Sequence, residues 1–473
     1  MSTMKFRFIA TVAAVLLAGC TGKVSQMDAD MFPDYSDVTL PCNIAPLNFR
    51  VKGNGNVTVV VKGRSEYSFR GRKGLVSFPK RKWHKMLDAE KGGQVKVLVS
   101  GKNVHNEFSW TVSSDSIDRY LSYRLIEPAY EVWERIQVEE RDMESFSTRL
   151  LGDNRNADRC CMNCHTSNGN GTSFMHLRGA AGGTVLNRNG KIQNLVTSTA
   201  RTGNTVYGDI SADGRYGVFT TADITFAIHT QRNMRMEVYD KRSDLVVLDF
   251  DNLTVTDSPA VSDDEYQETF PCFSADGHTI FFCRARHMAQ PDSTMDMHYD
   301  IAVIAFDPET GTMGDRVITI IPAGDDKSFT NLKASPDGHW LMATIQKYGT
   351  FSVWHPESDL ILIDLQSKRI DTMPQVNAYG ADTYHSWSSN SRWVVFASKR
   401  DDQVYGRPYV AYIGPDGTLG KPFVLPLKDP DKYRTTLKSY NIPELYRAPE
   451  AYGTHDVASL YKRVKPENVQ YRP

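Results

Sequence analysis

Three features of this 473-residue sequence predict a mainly all-β chain. Apolar runs are short and broken by Gly, Asp and Asn, the pattern of strands and tight turns. One serine-bearing turn recurs at Ser211, Ser274, Ser335 and Ser388. Each recurrence is followed by further strand-like segments, so the repeat unit is a small sheet. Helical spacing appears only in the stretch 116–158.

The N-terminus reads as a targeting segment over 1–20. Lys5 and Arg7 precede an apolar stretch over 8–18, and Leu17-Ala18-Gly19-Cys20 follows. That ending resembles the lipobox of bacterial lipoproteins. The resemblance implies lipidation of Cys20, a membrane held through that lipid, and a bacterial cell-envelope location. Thr21 in place of Asp points in such lipoproteins to the outer membrane. The plainer alternative is an ordinary cleaved signal peptide. Either route permits disulfides.

Residues 21–34 are polar and read as a tether. Residues 35–114 carry short β-rich segments such as Phe49-Arg50-Val51 and Val95-Lys96-Val97-Leu98-Val99, with Gly53, Gly55, Gly92 and Gly93 as punctuation. They predict a small Ig-like β-sandwich acting as spacer or dock. In 115–200, Ala129, Val132, Trp133 and Ile136 fall at helical spacing, as do Met143, Phe146 and Leu150. A short helical connector is expected there, with divergent strands such as 183–187 and 191–195 possible members of the repeat array.

The repeats occupy 201–430. Ser211-Ala212-Asp213-Gly214, Ser274-Ala275-Asp276-Gly277, Ser335-Pro336-Asp337-Gly338 and Ser388-Ser389-Asn390-Ser391 each link two strands. Asp or Asn bonds its own backbone in such a turn, and Gly accepts the left-handed conformation. Third strands follow over 236–240, 301–307, 360–364 and 409–413, and fourth strands over 245–248 and 317–320. Four strands per unit, repeated, predict a β-propeller. The Ser-x-Asp-Gly turn between an aromatic-bearing strand and an apolar strand resembles the TolB-like β-propeller repeat. The resemblance implies a ring commonly of six blades, of which four are visible, and a docking surface for a protein partner. Residues 431–473 read as a tail that wraps the ring and ends in a mobile segment.

Within the connector, Cys161, Cys164 and His165 spell C-x-x-C-H. Composition alone would produce that motif about 0.003 times in such a chain. Two thiols at this spacing form thioethers to covalently bound haem c, and the adjacent His becomes an axial ligand. Met175 and His176 are candidate sixth ligands, with Met143 further away. Arg178 is placed to neutralise a propionate or to be a plain surface charge. The alternatives are a redox cysteine pair or a metal site built from Cys160, Cys161, Cys164 and His165.

Cys272 and Cys283 flank the turn at Asp276-Gly277, placed for a disulfide or for two buried small hydrophobes. Cys42 and Cys160 have no evident partner. First strands line a propeller channel, which points to Asp209, Glu268, Asn331, Lys333, Tyr384 and His385 as a channel site or as ordinary wet lining. Lys and Arg number 55 against 56 Asp and Glu. That balance removes the electrostatic case for general nucleic-acid binding. The expected function is electron transfer or redox-partner docking by a haem mounted on a propeller. The rival is a propeller that recognises protein or glycan, with the cysteine segment structural. An enzyme acting in the channel is a third option.

Overall fold

A computed structural model describes residues 31–53, 55–102, 104–127, 134–178, 183–288 and 297–473, without the side chains of Asn163 and Cys164. Cys20 and the targeting segment lie outside the described residues, as do Ala129, Val132 and Trp133. Among the described residues no helix is long and apolar enough to cross a membrane.

Six sheets of four antiparallel strands form a propeller, in addition to two sheets of an N-terminal unit, among the described residues. Their first strands touch in sequence and the last touches the first, so the ring closes. Blade 2 consists of Cys161–Ser167, Thr172–Arg178, Gly183–Arg188 and Lys191–Val196. Blades 3 to 6 begin with Thr205–Ile210, Tyr266–Phe273, Ser328–Ala334 and Asp382–Trp387. Blade 1 is composite. Its three outer strands, Tyr120–Ile126, Gln137–Asp142 and Thr148–Asp153, come early in the chain, whereas its innermost strand, Ser439–Tyr446, comes from the C-terminal region.

The repeated turn behaves as its chemistry requires. Ser211, Ser274 and Ser335 donate from Oγ to the Asp two residues on, each at 2.6 Å. The same hydroxyls accept the backbone N–H of Tyr216, Thr279 and Trp340. Gly214, Gly277 and Gly338 take φ values of 72–75°. In the fourth unit Asn390 replaces the Asp, but Ser391 carries the left-handed backbone at φ 60°.

Several expectations are corrected. The predicted helical connector is strands joined by turns in its described part, with a single 3-10 turn at Asn154–Asn156, because both faces of blades 1 and 2 are buried between neighbours. Its apparent helix-surface charges belong to that burial. Glu140 accepts from Arg149, from Tyr446 Oη at 2.9 Å and from the Glu450 N–H at 2.6 Å. The tail is structural: beyond its inner strand, helix Thr454–Arg463 packs Val457, Leu460 and Tyr461 onto blades 1 and 2. Glu467–Asn468 and Gln470–Tyr471 then add parallel edge strands to blades 2 and 3. The tether is shorter than expected, since Met31–Phe32 already pairs in a sheet.

The N-terminal unit is not a simple sandwich. A mixed five-stranded sheet and a three-stranded one share it with helix Lys80–Glu90, whose Trp83 meets Trp110 at 5.5 Å. The unit is fastened to blade 6. Asp118 accepts from Ser389, Asp115 from Tyr412 Oη, and Asp34 from Lys421 Nζ. Cys272 and Cys283 are free thiols buried in the blade 4 core, not a disulfide. A register slip between Thr269 and Cys272 sets Cys283 opposite Thr269 and Cys272 opposite Phe281.

Candidate functional site

All six inner strands slip register at the same level. The slips follow Asn163, Thr205, Thr269, Thr330, Thr383 and Asn441. Each sets two residues of the inner strand against one of its partner, a bulge of one extra residue toward the axis. Phe270, Asn331, Tyr384 and Ile442 take left-handed backbone there, with φ of 49–52°. The bulges narrow the channel to a waist of about 70 Å³, lined by His165, Tyr207, Phe270, Asn331, His385 and Ile442 among others. Cys164 and His165 are the blade 2 bulge, so the cysteine motif and the propeller axis meet at one place.

At the lower edge of the waist, Lys333 Nζ stands 3.0 Å from Asp209 Oδ1 and 3.6 Å from Glu444 Oε1. Burial pushes the Glu444 carboxyl up to about 7, with Lys333 opposing. Above the waist opens a cavity of about 560 Å³ that shares Tyr207, Tyr384 and Ile442 with it. Its walls include Cys161, Arg124, Arg178, Val353, Trp354 and Lys399. Its roof is a hairpin in blade 3, Tyr216–Ile228 with Met236–Asp249, which runs far past its neighbours and turns Ile224, Phe226 and Ile228 toward the cavity.

Glu237 pins that hairpin. His355 Nε2 lies 2.8 Å from its carboxylate, and Nδ1 lies 3.2 Å from Glu357. Burial alone would lower the imidazole pKa, but the two carboxylates outweigh it and raise it to about 9. A raised pKa contributes stability fully present below the ordinary value of 6.5 and lost as pH rises through about 9. The hairpin should therefore loosen above about pH 9, by on the order of 3 kcal/mol. Trp354, buried under Met236, should report this as a red-shifted emission relative to His355→Gln, which lacks the transition. Identical pH profiles for the two proteins would sink the assignment.

The motif residues separate by environment. Cys160 faces the core among Met162, Met175 and Leu177, where burial pushes its thiol up to about 11. Cys161 is half-buried at the cavity wall. His165 is 7% exposed, and neither ring nitrogen makes a well-formed hydrogen bond among the described residues, the Ile442 backbone being the polar group beside the ring. Burial, then the charges of Arg124 and Lys333, lower its pKa to about 3, so it is neutral. Met175 sits in the core at 1% exposure. His176 spends both nitrogens, on Thr184 Oγ1 at 2.9 Å and the Val206 carbonyl at 3.0 Å. Arg178 donates to the Thr205 carbonyl from the cavity wall. Met143 is buried in the core shared with the N-terminal unit.

Of the expected channel residues, Asn331, Lys333, Tyr384 and His385 line the waist, and Asp209 lies just below it. His385 donates from Nε2 to the Met342 carbonyl at 3.1 Å, and Nδ1 has no partner among the described residues. Glu268 is not in this group; it is fully buried on Arg284 at 2.9 Å, and burial raises it to about 8. Glu444 and Lys399 escaped sequence reading. The repeat offset places Glu444 opposite Lys333 once the C-terminal strand is recognised as an inner strand. Among the described residues, no group of three or more His, Cys, Asp or Glu side chains converges to hold a metal ion.

The chain matches no family model, and no curated protein matches it in sequence. Similar solved structures include TolB from Acinetobacter baumannii, 12% identical over 75% of this chain and 79% of that one, TM-score 0.43. A periplasmic gluconolactonase from Pseudomonas aeruginosa is 14% identical over 70% and 100%, TM-score 0.37. Hydrazine synthase from Kuenenia stuttgartiensis is 13% identical over 59% and 72%, TM-score 0.34. The propeller itself is defined by the chain's own closed ring of six sheets.

Proposed function

We propose that this protein carries a covalent c-type haem in the cavity above the channel waist, attached to the inner strand of blade 2, and acts in electron transfer. The observation that carries the proposal is His165, a buried imidazole with no well-formed hydrogen bond on either nitrogen among the described residues, directly after Cys164 and four residues beyond a cysteine that walls a 560 Å³ cavity. An orphaned buried ring of this kind costs free energy unless a ligand takes it up. The cavity fits a planar apolar group with acidic substituents: aliphatic and aromatic walls, with Arg124 and Arg178 among the lining.

Cys161 and Cys164 would anchor the group, and His165 would ligate it. When bound, haem supplies one-electron redox chemistry whose potential depends on ligand, charge and burial. The chain's own part is to hold His165 neutral, which leaves a lone pair for coordination, and to shield it beneath the hairpin. The docking side for a protein partner falls on the propeller, and the tether to an envelope membrane falls on Cys20.

The test is maturation of the full chain with a cytochrome c assembly system. Haem should survive a denaturing gel and give a Soret band, and Cys161→Ser with Cys164→Ser should abolish the covalent stain. A folded wild-type protein without haem, under conditions that load a control cytochrome, sinks the proposal in favour of a protein-binding propeller.

A further inference from the structure

The near-neutral total of 55 Lys and Arg against 56 Asp and Glu hides a division of charge. Residues 50–102, in the N-terminal unit, carry 14 Lys and Arg against three Asp and Glu, which leaves 41 against 53 in the rest of the chain. Thirteen of the 14 are exposed; the other, Arg50, pairs with Asp431. Among the described residues only Lys62 and Lys96 of those thirteen form an ion pair, with Glu66 and Glu107. Internal pairing therefore does not account for this charge.

Helix stability does not account for it either. Helix Lys80–Glu90 opens with Lys80, Arg81 and Lys82, has Pro79 at its cap position, and has neither a side-chain cap bond nor an acid in its first turn. Cations there oppose the helix dipole, beside backbone N–H groups that have no acceptor within the helix. The buried face is an ordinary core face of Trp83, Met86 and Leu87, and the exposed face adds Lys85. Lys82 ties the helix start to the edge strand Glu66–Gly71: its Nζ donates to the Ser68 carbonyl at 2.7 Å and lies 4.7 Å from the centre of the Phe69 ring. Exposed Arg72 and Lys73 follow that strand directly.

The chain enters the unit at the same rim. Met31 pairs with Val51, whose N–H donates to the Gly74 carbonyl at 2.8 Å. Lys52 and Lys73 are the chain neighbours of those two residues, so the segment ahead of Met31 leaves the unit beside them. Residues 21–30 link Cys20 to Met31, and ten residues reach at most about 35 Å at full extension. A membrane that holds a lipid on Cys20 therefore stands close to the basic rim. Charge attraction acts over about 8 Å at physiological salt, well inside that reach.

We infer that this unit docks on an anionic phospholipid surface, with the start of helix Lys80–Glu90 and the Arg72-Lys73 turn against the headgroup phosphates. The inference rests on the Cys20 tether of the reading above and not on the haem. The lipid supplies proximity, and the basic rim supplies an orientation that a flexible tether alone does not.

The experiment uses the chain starting at Thr21, which keeps every described residue and has no lipid to drive binding. It is sedimented with vesicles of phosphatidylcholine alone, or of phosphatidylcholine and phosphatidylglycerol in equal parts. Binding to the anionic vesicles should be at least ~100-fold tighter than to the neutral ones and should weaken steeply with added salt. Lys80→Glu, Arg81→Glu, Lys82→Glu and Lys85→Glu together should remove that preference. The same number of reversals on the exposed Lys191, Arg316, Arg369 and Lys465 should change binding by no more than ~2-fold. Circular dichroism confirms that each variant is folded, and the salt dependence of the wild type tests the surface without any variant. Equal binding to the two vesicle types, no salt dependence, or a helix variant that binds like the wild type overturns the inference. Tighter binding to a DNA duplex at equal phosphate concentration also overturns it, in favour of a nucleic-acid surface. Mass spectrometry of the full chain exported by a bacterium reads the tether separately. An unlipidated Cys20 overturns the tether reading, whereas the vesicle result stands or falls by itself.

Discussion

Truncation after residue 438 should leave a chain that does not fold, whereas truncation after residue 464 should leave the ring intact. The longer deletion removes Ser439–Tyr446, the inner strand of blade 1. Six backbone partners on Tyr120–Ile126 lose their ladder, from Ile126 opposite Ser439 to Tyr120 opposite Tyr446. It also takes away Tyr440, Leu445 and Tyr446 from closely packed cores, and leaves Glu140 without the Tyr446 hydroxyl and the Glu450 N–H. A propeller with one inner strand missing exposes two blade faces and an unpaired edge at once. The shorter deletion removes the two short edge strands, largely exposed, with Val469 at the rim of one core and the hydrogen bonds of Tyr471 and Arg472, but no inner strand. Circular dichroism and limited proteolysis of the two proteins make the comparison. A cooperative unfolding transition in the 438 truncation would show that the C-terminal strand does not hold the ring closed.

Lys333→Met should destabilise the protein by about 3–5 kcal/mol at neutral pH, because it strands two carboxylates that the ammonium now compensates. Lys333 bridges Asp209 on blade 3 and Glu444 on blade 1 across the channel. The loss should shrink as pH falls. The Glu444 carboxyl is already raised to about 7 in the intact cluster, mainly by burial, so the folded state binds its proton more readily than the unfolded chain does. Its contribution is fully present below the unfolded value of about 4.5 and is lost as pH rises through about 7. Without Lys333 that window moves upward. Adding Asp209→Asn and Glu444→Gln to Lys333→Met should recover most of the stability. Urea midpoints for the single and triple variants, taken at acidic and neutral pH, decide the matter. A triple variant no more stable than the single would mean that Lys333 acts through packing rather than charge.

Four of the six blades are legible in the sequence because Ser-x-Asp-Gly forms a turn with self-contained chemistry. The other two hide for separate reasons. Blade 2 uses Asn168-Gly169-Asn170-Gly171, where the Asn168 carboxamide accepts the N–H of both Asn170 and Thr172. Blade 1 is cut between the ends of the chain, so no local pattern joins its strands. Its buried Glu140 and Arg141 also resemble a solvated helix face in sequence, since burial of a charge depends on partners far along the chain. The channel was partly legible by the same logic. Asp209, Asn331, Lys333, Tyr384 and His385 sit at fixed offsets from recognised turns. Lys399 follows a strand like any surface lysine, and nothing local reveals the Trp354 ring beneath it.

The composite blade also sets an order of events. The outer strands of blade 1 and all of blade 2 are synthesised before the strand that completes the ring. Until that strand arrives, His165 lacks Ile442 beside it in the waist, and the blade 2 inner strand forms one lip of an open gap. The cysteine segment is therefore among the last inner surfaces to be enclosed. Any chemistry that must reach this segment from the channel side has its widest access before the arrival of residue 446, after which Cys161 is reached only through the cavity it lines.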